Sequence, residues 1–186
     1  MYLHNINKNA MASKGLSEFI QFMKKLHLVL QKNQINYCLK VKQIRCIHNI
    51  YKGRDVIAVL PTGYGKSITY QLLPDLYEEK IVIVVSPLNS IIEDQLKTLL
   101  KRSIPADLLN CVEDPSATAA LFLQDATKRT KIPLIPKNIK DGNIRVLFSH
   151  PESLLSEDGR KLLKSSIFQE KVVACIIDES HVIELW

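Results

Sequence analysis

The sequence lacks the features that mark secreted, zinc-binding and membrane-spanning proteins. Its four cysteines, Cys38, Cys46, Cys111 and Cys175, are widely scattered, with no CxxC pair and no histidine at metal-ligand spacing. This argues against a disulfide framework or a zinc site and favours reduced cysteines in the core. No run approaches the roughly 18 uninterrupted apolar residues of a membrane helix, and the first residues lack the apolar centre of a signal peptide. We therefore expect a soluble, intracellular protein.

Acidic residues are scarce at the start of the chain. Residues 1–54 contain ten lysines or arginines and a single acid, Glu18, within a chain whose formal net charge is +6. Such a basic segment favours a phosphate backbone and makes any binding to it dependent on salt. A solvated tail and helix face explain the same charge without a partner. Charge alone leaves both interpretations open.

The patterning predicts one compact domain after a short N-terminal region. The 186 residues, 46% of them hydrophobic, suffice for a single core. Residues 1–16 are polar without periodicity and predict a disordered tail. Apolar residues at helical spacing (Phe19, Phe22 or Met23, Leu26, Leu30) predict an amphipathic helix over 17–35. From residue 36, short β-branched runs alternate with helical stretches, which predicts an α/β fold with a parallel sheet flanked by helices.

The predicted elements are as follows. Near-continuous apolar runs, typical of strands buried on both faces of a parallel sheet, lie at 56–60, 81–86, 144–149 and 172–178, with a weaker strand at 107–111. Helices are predicted at 43–51, 66–76, 90–101, 117–130 and 159–168, and a long surface loop at 131–142.

The segment PTGYGKS at 61–67 lies between a predicted strand and a predicted helix. In this setting backbone N–H groups and the helix N-terminus point at phosphate oxygens, and glycines allow close approach. Lys66 would neutralise the β- and γ-phosphates, and the Ser67 hydroxyl would bind magnesium. Leu60 replaces the first glycine of the GxxxxGK[ST] pattern, so a glycine-rich turn before a helix remains the alternative.

A second chemical signal is the acidic pair Asp178-Glu179, at the end of the last predicted strand. Ligands of parallel sheets bind beyond the carboxyl ends of the strands, so we expect both carboxylates beside the phosphate loop. Asp178 would hold magnesium through water, and Glu179 would orient and deprotonate the attacking water. Taken alone, the pair is equally consistent with a helix cap.

Together these segments resemble a known family. Asp-Glu-Ser-His at 178–181 resembles the DEAH or DExH box of superfamily 2 helicases, and the 61–67 loop resembles their first motif, in which Leu60 is not anomalous. Within that superfamily the chain resembles the RecQ group, through SPLNSIIEDQ at 86–95, GRD at 53–55, SHPESL at 149–154 and HVIELW at 181–186.

The resemblance implies a fold and an activity. The fold is a P-loop NTPase with a RecA-like sheet, here the first helicase domain over 36–186, truncated after the DExH box. The activity is ATP- and magnesium-dependent DNA unwinding, 3′ to 5′, in a nuclear or otherwise cytoplasmic protein. The second RecA-like domain would supply an arginine finger, worth on the order of 10³ to 10⁵ in rate. We therefore interpret the chain as a fragment and expect little ATPase activity from it alone.

The resemblance also assigns functions to individual residues. It implies a nucleotide site formed by Lys40, Gln43, Pro61, Thr62, Gly63, Tyr64, Gly65, Lys66 and Ser67, with Mg²⁺ held by Ser67 and Asp178. It implies catalytic functions for Lys66, Asp178, Glu179 and His181. It implies contacts with single-stranded or duplex DNA by Ser86, Pro87, Asn89, Gln95, Ser149, Pro151, Glu152 and Trp186.

Two of these positions concern the choice of base. Gln43 resembles the glutamine that reads adenine and so selects ATP, although an ordinary surface glutamine is the alternative. Lys40 stands where the family often has an arginine near the base. Because lysine cannot stack as a planar guanidinium does, we expect weaker affinity for adenine.

Other functions stay open at this point. A DEAH-type RNA helicase would share the phosphate loop and the acidic box, although the segments at 86–95 and 181–186 argue against it. A truncated, non-enzymatic module that binds nucleotide or nucleic acid is consistent with the basic N-terminus. A metabolic P-loop kinase would need none of the DNA-contacting segments.

Overall fold

The computed structural model describes residues 3–77, 80–109 and 143–180, with side chains from residue 15 onward. The chain forms two compact units, Met1–Leu76 and Tyr77–Trp186, which we call the loop unit and the sheet unit. The helix predicted at 117–130 and the loop predicted at 131–142 lie outside the described residues. No helix within the described residues is long and apolar enough to cross a membrane.

The loop unit is built from helices. They are α1 (Leu3–Lys32), α2 (Val41–Tyr51), α3 (Ile68–Gln71) and α4 (Leu73–Leu76). Helix α1 contacts α4, and α2 contacts both α3 and α4. The side-chain amide of Asn33 donates hydrogen bonds to the Asp75 carboxylate at 2.7 Å and to the Val29 carbonyl at 2.9 Å, which fastens the end of α1 to α4.

Helix α1 begins much earlier than we predicted. Residues 3–16 are helical, which corrects the disordered tail predicted there. The segment contains one glycine and no proline, so the helix predicted from residue 17 can extend back through it. The buried face consists of Phe22, Leu26 and Val29, where the pattern had suggested Leu30 in the last position. The ATP-binding domain predicted over 36–186 stays a prediction.

The strand predicted at 56–60 does not form. Residues 54–60 form neither strand nor helix, and Ile57 and Val59 are 95% and 85% exposed. An apolar run becomes a buried strand only when neighbouring strands pair with its backbone groups. The described part of the loop unit contains no strand that could do so. The prediction was wrong in this unit because periodicity identifies an apolar run but not its partner.

The helix predicted at 66–76 is divided in two. Helix α3 ends at Gln71 and α4 begins at Leu73. Pro74 explains the break, because its ring nitrogen has no hydrogen to donate to the carbonyl four residues earlier and its ring crowds that carbonyl. Helix α2 agrees with the prediction at 43–51 and starts two residues earlier, at Val41.

The sheet unit contains a parallel four-stranded sheet. Its elements are β1 (Ile81–Val85), α5 (Asn89–Lys101), β2 (Ala106–Leu109), β3 (Val146–Ser149), α6 (Pro151–Leu155), α7 (Glu157–Lys164), α8 (Ser166–Lys171) and β4 (Val172–Ile177). The strand order is β2-β3-β1-β4, and every neighbouring pair is parallel. The predicted parallel sheet flanked by helices is therefore confirmed, as is a helix at 90–101.

Burial in this sheet depends on position. Strands β1 and β3 are central and fully buried, whereas β4 is an edge strand whose residues are half-buried or exposed. Burial on both faces was thus predicted correctly for 81–85 and 146–149 but not for 172–177. One core cluster joins the strands to the helices after β3; it includes Ile81, Ile83, Leu147, Leu154, Leu162 and Phe168. Each such side chain contributes roughly 1.5–3 kcal/mol by burial.

The helix predicted at 159–168 is also divided. Helix α7 ends at Lys164, and the Ser165 side chain then caps α8 by accepting a hydrogen bond from the Phe168 N–H at 3.4 Å. Serine favours such caps because its hydroxyl satisfies an N–H left without a partner at the helix start. The predicted burial of the cysteines holds for Cys46 but not for Cys38 and Cys175, which are exposed; all three are free thiols.

Candidate nucleotide site and strand-end residues

The phosphate loop is a turn at the surface of the loop unit, and two of its residues are glycines with left-handed backbone. The Tyr64 N–H donates to the Pro61 carbonyl at 3.1 Å and closes the turn. Gly63 and Gly65 have φ angles of +74° and +83°, in the left-handed region that favours glycine. Thr62, Gly63 and Gly65 are exposed. The loop therefore presents backbone to solvent, as close approach of a phosphate group requires.

Lys66 and Ser67 lie where the loop becomes a helix. The Thr69 hydroxyl and N–H both bond to the Lys66 carbonyl, at 2.6 and 3.0 Å, and the Gln71 N–H bonds to the Ser67 carbonyl at 3.0 Å. These bonds turn the chain into α3 directly after the two residues. Both side chains are half-buried, so the predicted phosphate and metal ligands stand together at this junction.

Gln43 is buried against the back of the phosphate loop. Its side-chain nitrogen donates to the Tyr64 and Gly65 carbonyls, each at 3.0 Å, and its side-chain oxygen accepts from the Lys40 N–H at 2.7 Å. The residue is only 3% exposed, so the surface-glutamine alternative is wrong. The predicted contact with adenine stays a prediction, and adenine would have to compete with these carbonyls for the amide.

The Lys40 side chain also reaches the loop. Its ammonium nitrogen lies 4.1 Å from the centre of the Tyr64 ring and 3.5 Å from the Tyr64 carbonyl oxygen. We placed both residues in the predicted nucleotide site from the sequence but did not predict this pairing. The signal available in the sequence was a single aromatic side chain between two glycines, which cannot by itself identify its partner.

In the sheet unit, three neighbouring strands bring predicted site residues to one edge of the sheet. The Ser86 N–H, just after β1, donates to the Ser149 carbonyl at the end of β3 at 3.0 Å. The Asp178 N–H, just after β4, donates to the Val85 carbonyl at 2.9 Å. The carboxyl ends of parallel strands thus place Ser149, Ser86 and Asp178 side by side.

The acidic pair has an unusual backbone. Glu179 has a φ of +52°, a region that side chains other than glycine and a few polar residues rarely adopt. Its N–H bonds to the Asp178 carboxylate at 3.0 Å. Such a conformation costs on the order of 1–3 kcal/mol and is frequent at functional sites. Both side chains are half-buried, so their carboxylates remain reachable from solvent.

The residues predicted to contact DNA differ in exposure. Asn89 and Glu152 are exposed, whereas Ser86 and Ser149 are fully buried. The Ser149 hydroxyl donates to the His150 carbonyl at 3.0 Å, and the buried Ser86 hydroxyl has no hydrogen-bond partner within the described residues. The other members of the set are half-buried Pro87 and Gln95 and buried Pro151. His181 and Trp186 lie outside the described residues.

Comparison with known proteins agrees with these motifs. The family model for the DEAD/DEAH box helicase matches residues 40–186, which include both the phosphate loop and the acidic pair.

Among curated proteins, the chain is 35% identical over 173 residues to the bifunctional 3'-5' exonuclease/ATP-dependent helicase WRN of Mus musculus, covering 86% of the chain and 11% of that protein. It is 34% identical over 134 residues to the ATP-dependent DNA helicase RecQ of Synechocystis, covering 72% and 24%. It is 32% identical over 145 residues to the ATP-dependent helicase wrn-1 of Caenorhabditis elegans, covering 78% and 12%.

The chain therefore spans between about a tenth and a quarter of the length of these relatives. The similarity covers most of the chain and includes every motif that carries the predicted chemistry. The chain belongs to the DEAD/DEAH box helicase family.

Proposed function

We propose that the chain is the nucleotide-binding part of a RecQ-type DNA helicase that uses ATP and Mg²⁺. The observation that carries the proposal is the phosphate loop, with its two left-handed glycines and with Lys66 and Ser67 at the start of α3. The relatives whose names specify DNA, such as the RecQ of Synechocystis, favour DNA over RNA. A 3′ to 5′ direction and a nuclear location rest on the RecQ resemblance.

The side chains available fit a magnesium–nucleotide complex. The Ser67 hydroxyl and the Asp178 carboxylate are hard oxygen ligands of the kind Mg²⁺ prefers, and Lys66 supplies a cation beside the exposed backbone of the loop. Bound Mg²⁺ would neutralise charge that develops on the phosphate oxygens.

Each residue then has a distinct function. Lys66 binds the β- and γ-phosphates, and the loop N–H groups hold their oxygens. Glu179, whose backbone is left-handed, orients the attacking water and accepts its proton. Gln43 selects adenine. Asn89 and Glu152, exposed after β1 and β3, lie on the segments that face nucleic acid.

The test is nucleotide binding and turnover in variants of the full-length protein. Lys66→Ala should abolish ATP binding at millimolar concentrations, and Glu179→Gln should keep binding but lose DNA-stimulated hydrolysis. Lys24→Ala, which removes an exposed lysine of α1, is the matched control and should leave both unchanged. Wild-type turnover in either site variant would overturn the proposal. Stronger stimulation by RNA than by DNA would favour an RNA helicase instead.

A second candidate is a module that binds nucleic acid without hydrolysing ATP. Lys42 and Arg45 are exposed on α2 within the basic first third of the chain, which supports it. A steep loss of DNA affinity with added salt, together with no nucleotide binding by the wild-type protein, would favour this function.

A further inference from the structure

Four contacts fasten the phosphate loop to the start of α2. The Gln43 amide donates to two loop carbonyls, and the Lys40 ammonium contacts both the ring and the carbonyl of Tyr64. Lys40 itself occupies the N-cap position of α2, and its N–H donates to the Gln43 side-chain oxygen at 2.7 Å. The ammonium therefore extends from an anchored backbone and not from a free tail.

Tyr64 lies where the backbone of the loop has most conformational freedom. It stands between Gly63 and Gly65, which both have positive φ angles. Glycines lose more conformational freedom on ordering than other residues, so a loop with two of them pays a large entropic cost when it closes around a ligand. A ring held by a cation at 4.1 Å reduces that cost before the ligand arrives, and such preorganisation increases affinity.

The position of the Lys40 charge also determines whether it can interact with the base or with the phosphates of a nucleotide. The ammonium lies over the Tyr64 ring, next to a carbonyl of the phosphate loop. An ammonium held there cannot at the same time lie over an adenine ring, and lysine has no planar group with which to stack. Its charge instead raises the positive potential at the loop, where a polyphosphate would bind.

We propose that Lys40 and Tyr64 act as a pair of positioning residues for the phosphate loop, so that Lys40 serves the triphosphate end of the nucleotide and not the base. The inference rests on the proposed ATP site and adds a specificity element to it. It replaces the function that the family resemblance implied for Lys40, which was to lie near adenine as the family's arginine does.

The test uses two probes that share phosphates and differ in the base. ATP and inorganic tripolyphosphate, each with Mg²⁺, are titrated into the chain and followed by NMR, which measures millimolar affinities. Four single variants form two matched pairs: Lys40→Met removes the charge and Lys40→Arg keeps a cation, while Tyr64→Leu removes the ring and Tyr64→Phe keeps it. The double variant Lys40→Met/Tyr64→Leu completes a cycle.

Lys40→Met and Tyr64→Leu should each weaken binding of both probes by about two- to fivefold, the range for an exposed cation–π contact. Lys40→Arg and Tyr64→Phe should bind like the wild type. The double variant should bind both probes about as weakly as the weaker-binding single variant, because both substitutions remove the same contact. Thermal unfolding should change little, which separates loop positioning from a general loss of stability.

Three results would overturn the inference. If Lys40→Met weakened ATP binding but not tripolyphosphate binding, Lys40 would serve the base. If the two single effects multiplied in the double variant, the residues would act independently. If the variants bound both probes like the wild type, the pair would have no function in binding. Failure of the wild-type chain to bind either probe would instead remove the proposed ATP site, and this inference with it.

Discussion

The side-chain nitrogen of Gln43 lies 2.8 Å from the point that a β-carbon on Gly65 would occupy. Real β-carbons essentially never approach another atom so closely, so a side chain at 65 would push the end of the Gln43 side chain aside, in addition to adopting a φ of +83°. Gly63 differs, because nothing lies within 4 Å of the corresponding point. The two glycines of the loop thus share a positive φ but differ in what an added β-carbon would meet.

This difference predicts unequal effects of the two alanine substitutions. Gly63→Ala introduces backbone strain alone, on the order of 1 kcal/mol. Gly65→Ala adds displacement of the Gln43 amide and loss of its hydrogen bonds, each worth about 0.5–1.5 kcal/mol. Urea unfolding should therefore show Gly65→Ala as the less stable variant, with the weaker affinity for ATP. Equal effects of the two substitutions would show that the Gln43 contact does not hold the loop.

Alanine substitutions at a second pair of glycines should change the free energy of unfolding in opposite directions. In α7, a β-carbon on Gly159 would lie 2.3 Å from the Ser153 carbonyl oxygen and 2.4 Å from that of Leu154. Because backbone cannot easily move aside, Gly159→Ala should destabilise the protein by about 1–3 kcal/mol.

Gly15→Ala is the matched control, since Gly15 is exposed in α1 with nothing within 4 Å. It should stabilise the helix by roughly 0.5–1 kcal/mol. Thermal unfolding of the two variants measures both effects. Stabilisation by Gly159→Ala would contradict the packing of α7 against the end of α6.

Stability should also fall as the solution is acidified, because of His48. Its ring packs against Phe19 and Phe22, with ring centres 5.0 and 4.7 Å away, and its Nε2 is buried without a hydrogen-bond partner within the described residues. Burial lowers the pKa of this imidazole below its ordinary 6.5; Lys52 and Arg54 lower it further, and Glu18 opposes them.

The direction of the pH effect follows from that pKa. Below about pH 6.5 the unfolded chain binds a proton at His48 that the folded chain resists, so the free energy of unfolding decreases as the pH falls. This loss of unfolding free energy is complete once the pH is below the pKa of His48 in the folded protein. Urea unfolding at pH 7.5 and 5.5 measures it. His48→Phe should reduce the difference between the two, and His27→Gln, at an exposed position of α1, should leave it unchanged.

The chain by itself should hydrolyse ATP slowly and respond little to DNA. The family resemblance implies that a second RecA-like domain supplies an arginine finger, which is worth on the order of 10³ to 10⁵ in rate. An ATPase assay of the chain with and without single-stranded DNA tests it, with the full-length protein as reference. A stimulated rate close to that of the full-length protein would show that the chain contains all the catalytic groups.

Sequence reasoning succeeded where a signal is local. Helices α2 and α5 follow from apolar residues at helical spacing, and the buried strands β1 and β3 follow from continuous β-branched runs. It failed where the outcome depends on neighbours. Segment 56–60 has the same composition as those strands, but no described strand of its unit pairs with it. The partial exposure of β4 comes from its place at the sheet edge.

By itself, the sequence determined the family, the parallel α/β class and the residues of the phosphate loop and acidic pair, because these are carried by residue types at short, fixed spacings. Only the tertiary structure decided which groups hold the loop. The partners of its backbone and of Tyr64 come from Gln43 and Lys40, more than twenty residues earlier in the chain. Spacing in sequence does not specify such a contact, because it arises when α2 packs against α3 and brings its first turn to the loop.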